Sequence, residues 1–339
     1  LMGPILEEFV GNRKELAETL ESLLNDALRD KNRTIPEKSP KIRITAQGGV
    51  GTAEEHRLLI ERYELDSVGW GSPFLLVPEA TTVDQETLGK LVSADEKDLY
   101  LSNISPLGVP FNNLKDNSKD IEKTDKIEAG RPGSPCPKEY LALHAQPGSR
   151  SLCTASRQYQ RNKIKLLDRD ELSEEEFNRN YNDIVEKACL CMGLGEASMQ
   201  VYDLDPSADK KGVAICPGPN MAYFSSIMSL REMADHIYGR INVIAKKNRP
   251  QMFVKELQLY LTYLSNKIDE IQGVPSKKQQ KYLNAFSKNL QDGIDYYHSF
   301  AEQVKDAYKE GFERIEEELS RQNADMNKLQ QRLALLPLS

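Results

Sequence analysis

From Leu230 onward the apolar residues recur every three or four positions, a pattern that only a helix places on one face. Leu230, Met233, Ile237, Ile241 and Ile244 step by 3, 4, 4 and 3. After Pro250 the series resumes with Phe253, Leu257, Leu261, Leu264, Ile268 and Ile271. After Gly273 and Pro275 a longer stripe runs through Phe286, Leu290, Ile294, Tyr297, Ala301, Val304, Tyr308, Phe312, Ile315 and Leu319. Its nine steps cover 33 residues, or 3.67 per step, closer to a straight helix than to a left-handed heptad seam. Gly293 and Gly311 fall inside it, each costing about 1 kcal/mol relative to alanine. Packing has to offset that cost, so a helical bundle or hairpin is expected.

The whole chain has 339 residues, which suggests about two domains. Lys and Arg number 45 and Asp and Glu 52, a net charge of −7 that argues against nucleic acid as the main partner. No apolar run reaches the length of a membrane span. The start, Leu1-Met2-Gly3-Pro4, lacks the basic and apolar regions of a signal peptide and enters a helix almost at once, as a piece of a longer chain would. Five cysteines, an odd number in a chain of this size, argue against a disulfide framework and for a reducing cytoplasm.

Residues 5–30 read as one amphipathic helix through Leu16, Leu20, Leu23 and Ala27. A polar link leads to an alternating strand, Lys41 to Ala46, and then to Gln47-Gly48-Gly49-Val50-Gly51. Thr52 and Glu55 form a capping box, so a helix starts at Thr52, with Leu58, Leu59 and Tyr63 as its apolar face. A second strand, Asp66 to Trp70, runs into Gly71-Ser72-Pro73-Phe74. Strand, helix and strand in this order predict a parallel pair. Glycines at a strand's carboxyl end let backbone amides approach a ligand, and the following helix presents its N-terminus to an anion. Further on, Val83 to Val92 reads as helix and Asp98 to Leu101 as strand. Residues 102–148 read as a long irregular loop, and 174–191 as a helix ending at Gly193. Ser198 to Leu204 and Gly212 to Cys216 read as short β segments.

The two glycine loops, Ala46-Gln47-Gly48-Gly49-Val50-Gly51 and Asp66-Ser67-Val68-Gly69-Trp70-Gly71, resemble those after the seventh and eighth strands of phosphate-binding (β/α)8 barrels. The wording is similar to that of the nitronate monooxygenase, flavin-type enoyl reductase and inosine-monophosphate-dehydrogenase-like barrels. The resemblance covers about 35 residues. It implies that Gln47, Gly48, Gly49, Val50, Gly51, Gly69, Trp70, Gly71 and Ser72 surround the phosphate of FMN or of another ligand. The chain departs from the pattern in three places. Six earlier strands are absent before Ile42, Glu64-Leu65 stands where Gly-Ala is usual, and Phe74 to Pro78 replaces a helix.

The cysteines lie beyond this unit. Cys136 and Cys216 are each followed by proline, as iron–sulfur ligands often are, and Cys189 and Cys191 are two residues apart. Cys136, Cys153, Cys189 and Cys191 are candidates for an iron–sulfur cluster or a zinc ion, although their spacings match no standard pattern. Buried, unligated thiols are the plainer reading. His56 reads as a surface histidine, and His236 and His298 as structural. Arg131, Lys138, Arg150 and Arg157 give residues 130–160 a basic character that suits an anionic substrate or a solvated loop. The acidic pairs Glu54-Glu55 and Glu174 to Glu176 sit in first turns of helices, where they complement the helix dipole.

These readings combine into an α/β plus α chain. It would consist of the closing βαβ units of a phosphate-binding TIM-type barrel in 1–101, an irregular region in 102–160, and a mainly helical part in 161–339. The expected function is that of a fragment of an FMN-dependent oxidoreductase acting on a small molecule, with its catalytic groups on strands outside this chain. Two alternatives remain. One is a non-enzymatic helical module that forms homo-oligomers through the 286–319 stripe. The other is a barrel that binds a phosphorylated ligand without flavin.

Overall fold

The computed structural model describes residues 1–144, 150–167, 171–204, 211–244, 248–271, 273–308 and 314–337. Its helices are α1 (Met2–Gly11), α2 (Arg13–Asp30), α3 (Ala53–Arg62), α4 (Gln85–Ser93), α5 (Ser118–Glu128) and α6 (Arg157–Ile164). They continue with α7 (Glu174–Val185), α8 (Leu190–Val201), α9 (Leu230–Ile237), α10 (Met252–Asp269), α11 (Lys277–Val304) and α12 (Ile315–Ala334). The strands are β1 (Thr45–Gln47), β2 (Ser67–Gly69), β3 (Leu99–Ser102) and β4 (Phe111–Leu114). The chain is therefore mixed helix and sheet with helix dominant. Among the described residues the strands make two separate two-stranded ladders, and no barrel closes.

The chain divides into two packing units that do not follow it in order. The first comprises Leu1–Trp70, His236–Asn242 and Lys246–Ser339; the second comprises Gly71–Asp235 and Val243–Ala245. In the first unit β1 and β2 pair in parallel, with Gln47 opposite Gly69, as the strand–helix–strand order predicts. Both strands are only three residues long, shorter than the sequence suggests. The capping box forms as expected, with Thr52 Oγ1 accepting from the Glu55 amide. Leu58, Leu59 and Tyr63 are fully buried. They meet the apolar face of α10, including Phe253, Leu257, Leu261 and Leu264, in one core with α11 and α12.

Several elements differ from the sequence reading. The helix expected over 5–30 breaks at Asn12 into α1 and α2. The stripe of 286–319 is carried by two helices, α11 ending at Val304 and α12 beginning at Ile315, while Gly311 and Phe312 lie outside the described residues. Leu290, Ile294, Tyr297, Ala301, Val304, Tyr308, Ile315 and Leu319 are all buried within the unit. The stripe is core, which removes it as an open surface for a partner helix.

In the second unit the strand expected at Asp98 to Leu101 forms as β3, and the region expected to be irregular supplies its antiparallel partner β4 and α5. The helix expected over 174–191 stops at Val185, and Gly193 lies inside the next helix, α8. Ser198 to Val201 finishes α8 rather than forming β structure, and residues 205–210 lie outside the described set. Gly212 to Cys216 joins no ladder. The α9 helix ends at Ile237, and Gly239 at φ 72° follows it.

Gly212 passes close over the start of α5. A Cβ there would stand 2.4 Å from the Ser118 carbonyl oxygen, so only glycine fits. Its amide donates to Glu122, which also holds Lys119 at 2.8 Å and Lys126. Burial alone would raise the Glu122 carboxyl. The two ammonium groups and the Gly212 amide outweigh burial and hold it at about 2. A carboxyl depressed in the folded state stabilises above its ordinary range, and that contribution disappears as pH falls toward about 2. Glu122→Gln is therefore expected to lower the unfolding midpoint at pH 7. The gap from the parent chain should close progressively below pH 4.5. Urea midpoints measured from pH 7 to pH 3 check this, and a gap that stayed constant would rule out the carboxylate as its source.

Candidate functional site

The first glycine loop is built around a buried ion pair. Gly48 and Gly49 turn the chain off β1 with φ of 114° and 77°, in the region that favours glycine. Val50 is buried, and Gly51 leaves room for the guanidinium of Arg249, whose Nε would stand 2.6 Å from a Cβ at that position. Arg249 donates from Nη1 and Nη2 to the two oxygens of Glu55, at 2.7 and 2.9 Å, and from Nη2 to the Gly49 carbonyl at 2.8 Å. Both partners are buried. Glu55 also accepts from the amides of Gly51 at 2.8 Å, Thr52 at 3.2 Å and Met252 at 2.7 Å.

This changes the role expected for Glu55. The sequence reading made it a helix cap only. In the structure it also accepts from the amides at the start of α3 and pairs with Arg249. Arg249, 194 residues away in the chain, was not singled out, and nothing near it in sequence marks it.

The other predicted loop residues are placed as follows. A Cβ on Gly69 would stand 2.5 Å from Cγ of Gln47, so that side chain lies across it. Trp70 donates its indole N–H to His56 Nδ1 at 3.0 Å and stands edge-on to His236. Burial pushes His56 below its ordinary value, which suits a neutral ring accepting at Nδ1. His56 is half-buried rather than a surface residue. His236 is buried, with Nε2 2.9 Å from the Gly51 carbonyl. Gly71 and Ser72 belong to the second unit, where Ser72 Oγ accepts from the Gly218 amide at 2.7 Å.

In the second unit Cys136, Cys153, Cys189 and Cys191 lie near enough to influence one another electrostatically. Ser134 and Ser156 form an isolated parallel bridge, with the Ser134 amide donating to Ala155 and the Arg157 amide donating back to Ser134, each at 3.0 Å. This lays the Cys136 segment along the Cys153 segment. Gln160 is fully buried, and its Nε2 donates to the carbonyls of Thr154 at 3.3 Å and Lys187 at 3.0 Å. It thereby ties the residue after Cys153 to the turn that carries Cys189 and Cys191. The Ala188 amide in turn donates to the Ile104 carbonyl.

Cys153 and Cys189 are buried; Cys136 and Cys191 are half-buried; none is in a disulfide. Burial raises the Cys153 thiol to about 11, and the nearness of Cys136, Cys189 and Cys191 adds to the rise. Burial is also the main cause for Cys136 and Cys191, with Cys189 a further cause for both. The neighbouring Cys153 thiol works in the opposite direction on Cys136. Cys216 is exposed and takes a backbone hydrogen bond from Asn112. Among the described residues no three His, Cys, Asp or Glu side chains stand close enough to enclose a single metal ion. A cluster binds its thiolates to different iron atoms and so needs them more widely spaced than one zinc ion does.

Among the described residues, no helix is long and apolar enough to cross a membrane. No family model matches the chain, and neither a curated protein nor a solved structure matches it.

Proposed function

We propose that the second unit is a redox module carrying an iron–sulfur cluster on Cys136, Cys153, Cys189 and Cys191. The observation that supports this is that four thiols from three separate chain segments influence one another's charge, with the Ser134–Ser156 bridge and the buried Gln160 tying those segments together. Clusters are held by sets of four thiolates, and a Cys-Pro step such as Cys136-Pro137 is common among their ligands. The raised thiols keep their protons in the metal-free protein, so loading must release them, and affinity rises with pH. A bound cluster would pass electrons one at a time, and burial of Cys153 and Cys189 would shield it on the protein side.

The test is anaerobic purification of the whole chain with iron, acid-labile sulfide and zinc counted. The expected result is a broad absorbance near ~400 nm that bleaches on reduction. Cys153→Ser should remove most of the iron, whereas Cys216→Ser should leave it in place. Stoichiometric zinc without sulfide, or no metal at all, would overturn the proposal.

A second reading has one observation behind it. The register of Gln47 against Gly69 sets the carboxyl ends of β1 and β2 side by side, as in the closing units of a phosphate-binding barrel. In that reading the chain is part of an FMN-dependent oxidoreductase. The amides of Gly51 and Thr52 already serve Glu55, so the phosphate would fall to the remaining loop residues. Absorbance peaks near ~370 and ~450 nm in the same preparation would support flavin. Their absence after reconstitution with FMN would remove it.

A further inference from the structure

A cavity of about 720 Å³ opens beside Cys136 and Cys153, and its wall is strongly cationic. Arg150, Arg157, Arg161 and Lys165 line it, and among the described residues a single carboxylate, Glu139, faces them. Glu139 already pairs with Arg150, accepting from its Nε at 3.0 Å. Arg157, Arg161 and Lys165 follow one another at intervals of four along α6 and its C-cap, so they share one face. Like charges at this spacing destabilise a helix, and among the described residues no carboxylate lies within ion-pair reach of these three. Arg157 Nε is buried and has no hydrogen-bond partner among the described residues. A buried cationic donor left in that state calls for an acceptor. Ser156, the N-cap of α6, lines the same wall, so the positive end of the helix dipole adds to the field.

We infer that this cavity binds a phosphorylated small molecule. The volume falls in the range of small-ligand sites. Guanidinium groups match a phosphate through paired N–H donors, and a dianion suits several unpaired cations better than one carboxylate does. The net charge of −7 on the chain favours a small anion over a nucleic-acid backbone as the occupant. The inference stands whether or not the four thiols carry a cluster.

The test uses the full chain, titrated calorimetrically with inorganic phosphate and pyrophosphate at about 0.15 M ionic strength, with citrate as the carboxylate comparison. Saturable pyrophosphate binding is expected, weakened about tenfold or more by Arg157→Gln and by Arg161→Gln. Arg161 is exposed, so that variant should fold as the parent does, which circular dichroism verifies. Lys14→Gln, on α2 of the first unit and outside the cavity's lining, should bind unchanged. No saturable binding up to about 10 mM, equal binding by parent and Arg161→Gln, or citrate binding as tightly as pyrophosphate would each overturn the inference. Metal content is counted on the same samples, so loss of the cluster and loss of anion binding are read separately.

Discussion

Arg249→Met is expected to destabilise the first unit by about 3–5 kcal/mol, the range for breaking one side of a buried ion pair. The cost comes from Glu55, which would remain buried with its charge uncompensated after two guanidinium hydrogen bonds are lost. The Gly49 carbonyl loses a donor as well. A Glu55→Gln/Arg249→Met double variant should recover much of the loss. The amide oxygen can still accept from Gly51 or Met252, and no buried charge is left. Trp70 is the chain's single tryptophan and belongs to this unit, so its fluorescence follows the relevant transition in urea. A loss below about 1 kcal/mol in the single variant would show that water reaches the carboxylate, making the pair equivalent to an exposed one.

Phe253→Ala is expected to cost the same unit about 3–5 kcal/mol, as truncation of a buried aromatic commonly does. Phe253 is 1% exposed. Its ring stacks on Tyr297 at 5.1 Å and meets Tyr63 and Phe300 edge-on at 6.2 and 5.5 Å. Alanine would leave a cavity walled by three large rings that are themselves packed on other elements and cannot collapse into it. Phe253→Leu should recover more than half of the loss by filling most of that space. Trp70 fluorescence in urea again provides the readout. Equal midpoints for the parent and the alanine variant would mean that the three rings close over the gap.

The first unit shows which features were legible in the sequence. Leu58, Leu59 and Tyr63 lie on one helical face behind a Thr-x-x-Glu box, and both the helix and its burial follow from that local pattern. The run Phe253 to Ile268 is likewise read correctly, because its period is long and uninterrupted. Errors fall where local signals are short or compete. Ser198 to Val201 alternates polar and apolar residues but completes α8, whose Gly193 packs so closely on Ala214 that a Cβ would meet it at 2.8 Å. Tertiary packing there overrides a weak propensity. The 286–319 stripe keeps helical phase across the gap between α11 and α12, so periodicity alone cannot reveal the break.

The candidate sites divide in the same way. The glycine loop and the capped helix were visible as a place built for an anion, since both depend on residues within a few positions of one another. That the anion is Glu55 could not be read, because its partner Arg249 arrives from the far end of the chain. The cysteines could be named as a candidate set but not shown to meet. The contacts that join them, Ser134 to Ala155 and Gln160 to Lys187, are made across loops whose closure leaves no periodic trace in sequence.

What the sequence by itself determined is therefore local: helical faces, caps, turns that need glycine, the parallel β1–β2 pair, and the net negative charge. These depend on steric and hydrogen-bonding preferences acting over one or two turns of chain. The tertiary structure alone decided which distant groups became neighbours. It put Arg249 on Glu55, buried the described part of the long stripe within the first unit, and in the second tied the segments carrying Cys136, Cys153 and Cys189 together beside a cationic cavity. The physical reason is that hydrophobic burial is non-directional, selecting faces to be covered without naming the residues that cover them. Specific pairs appear only once the whole core has packed.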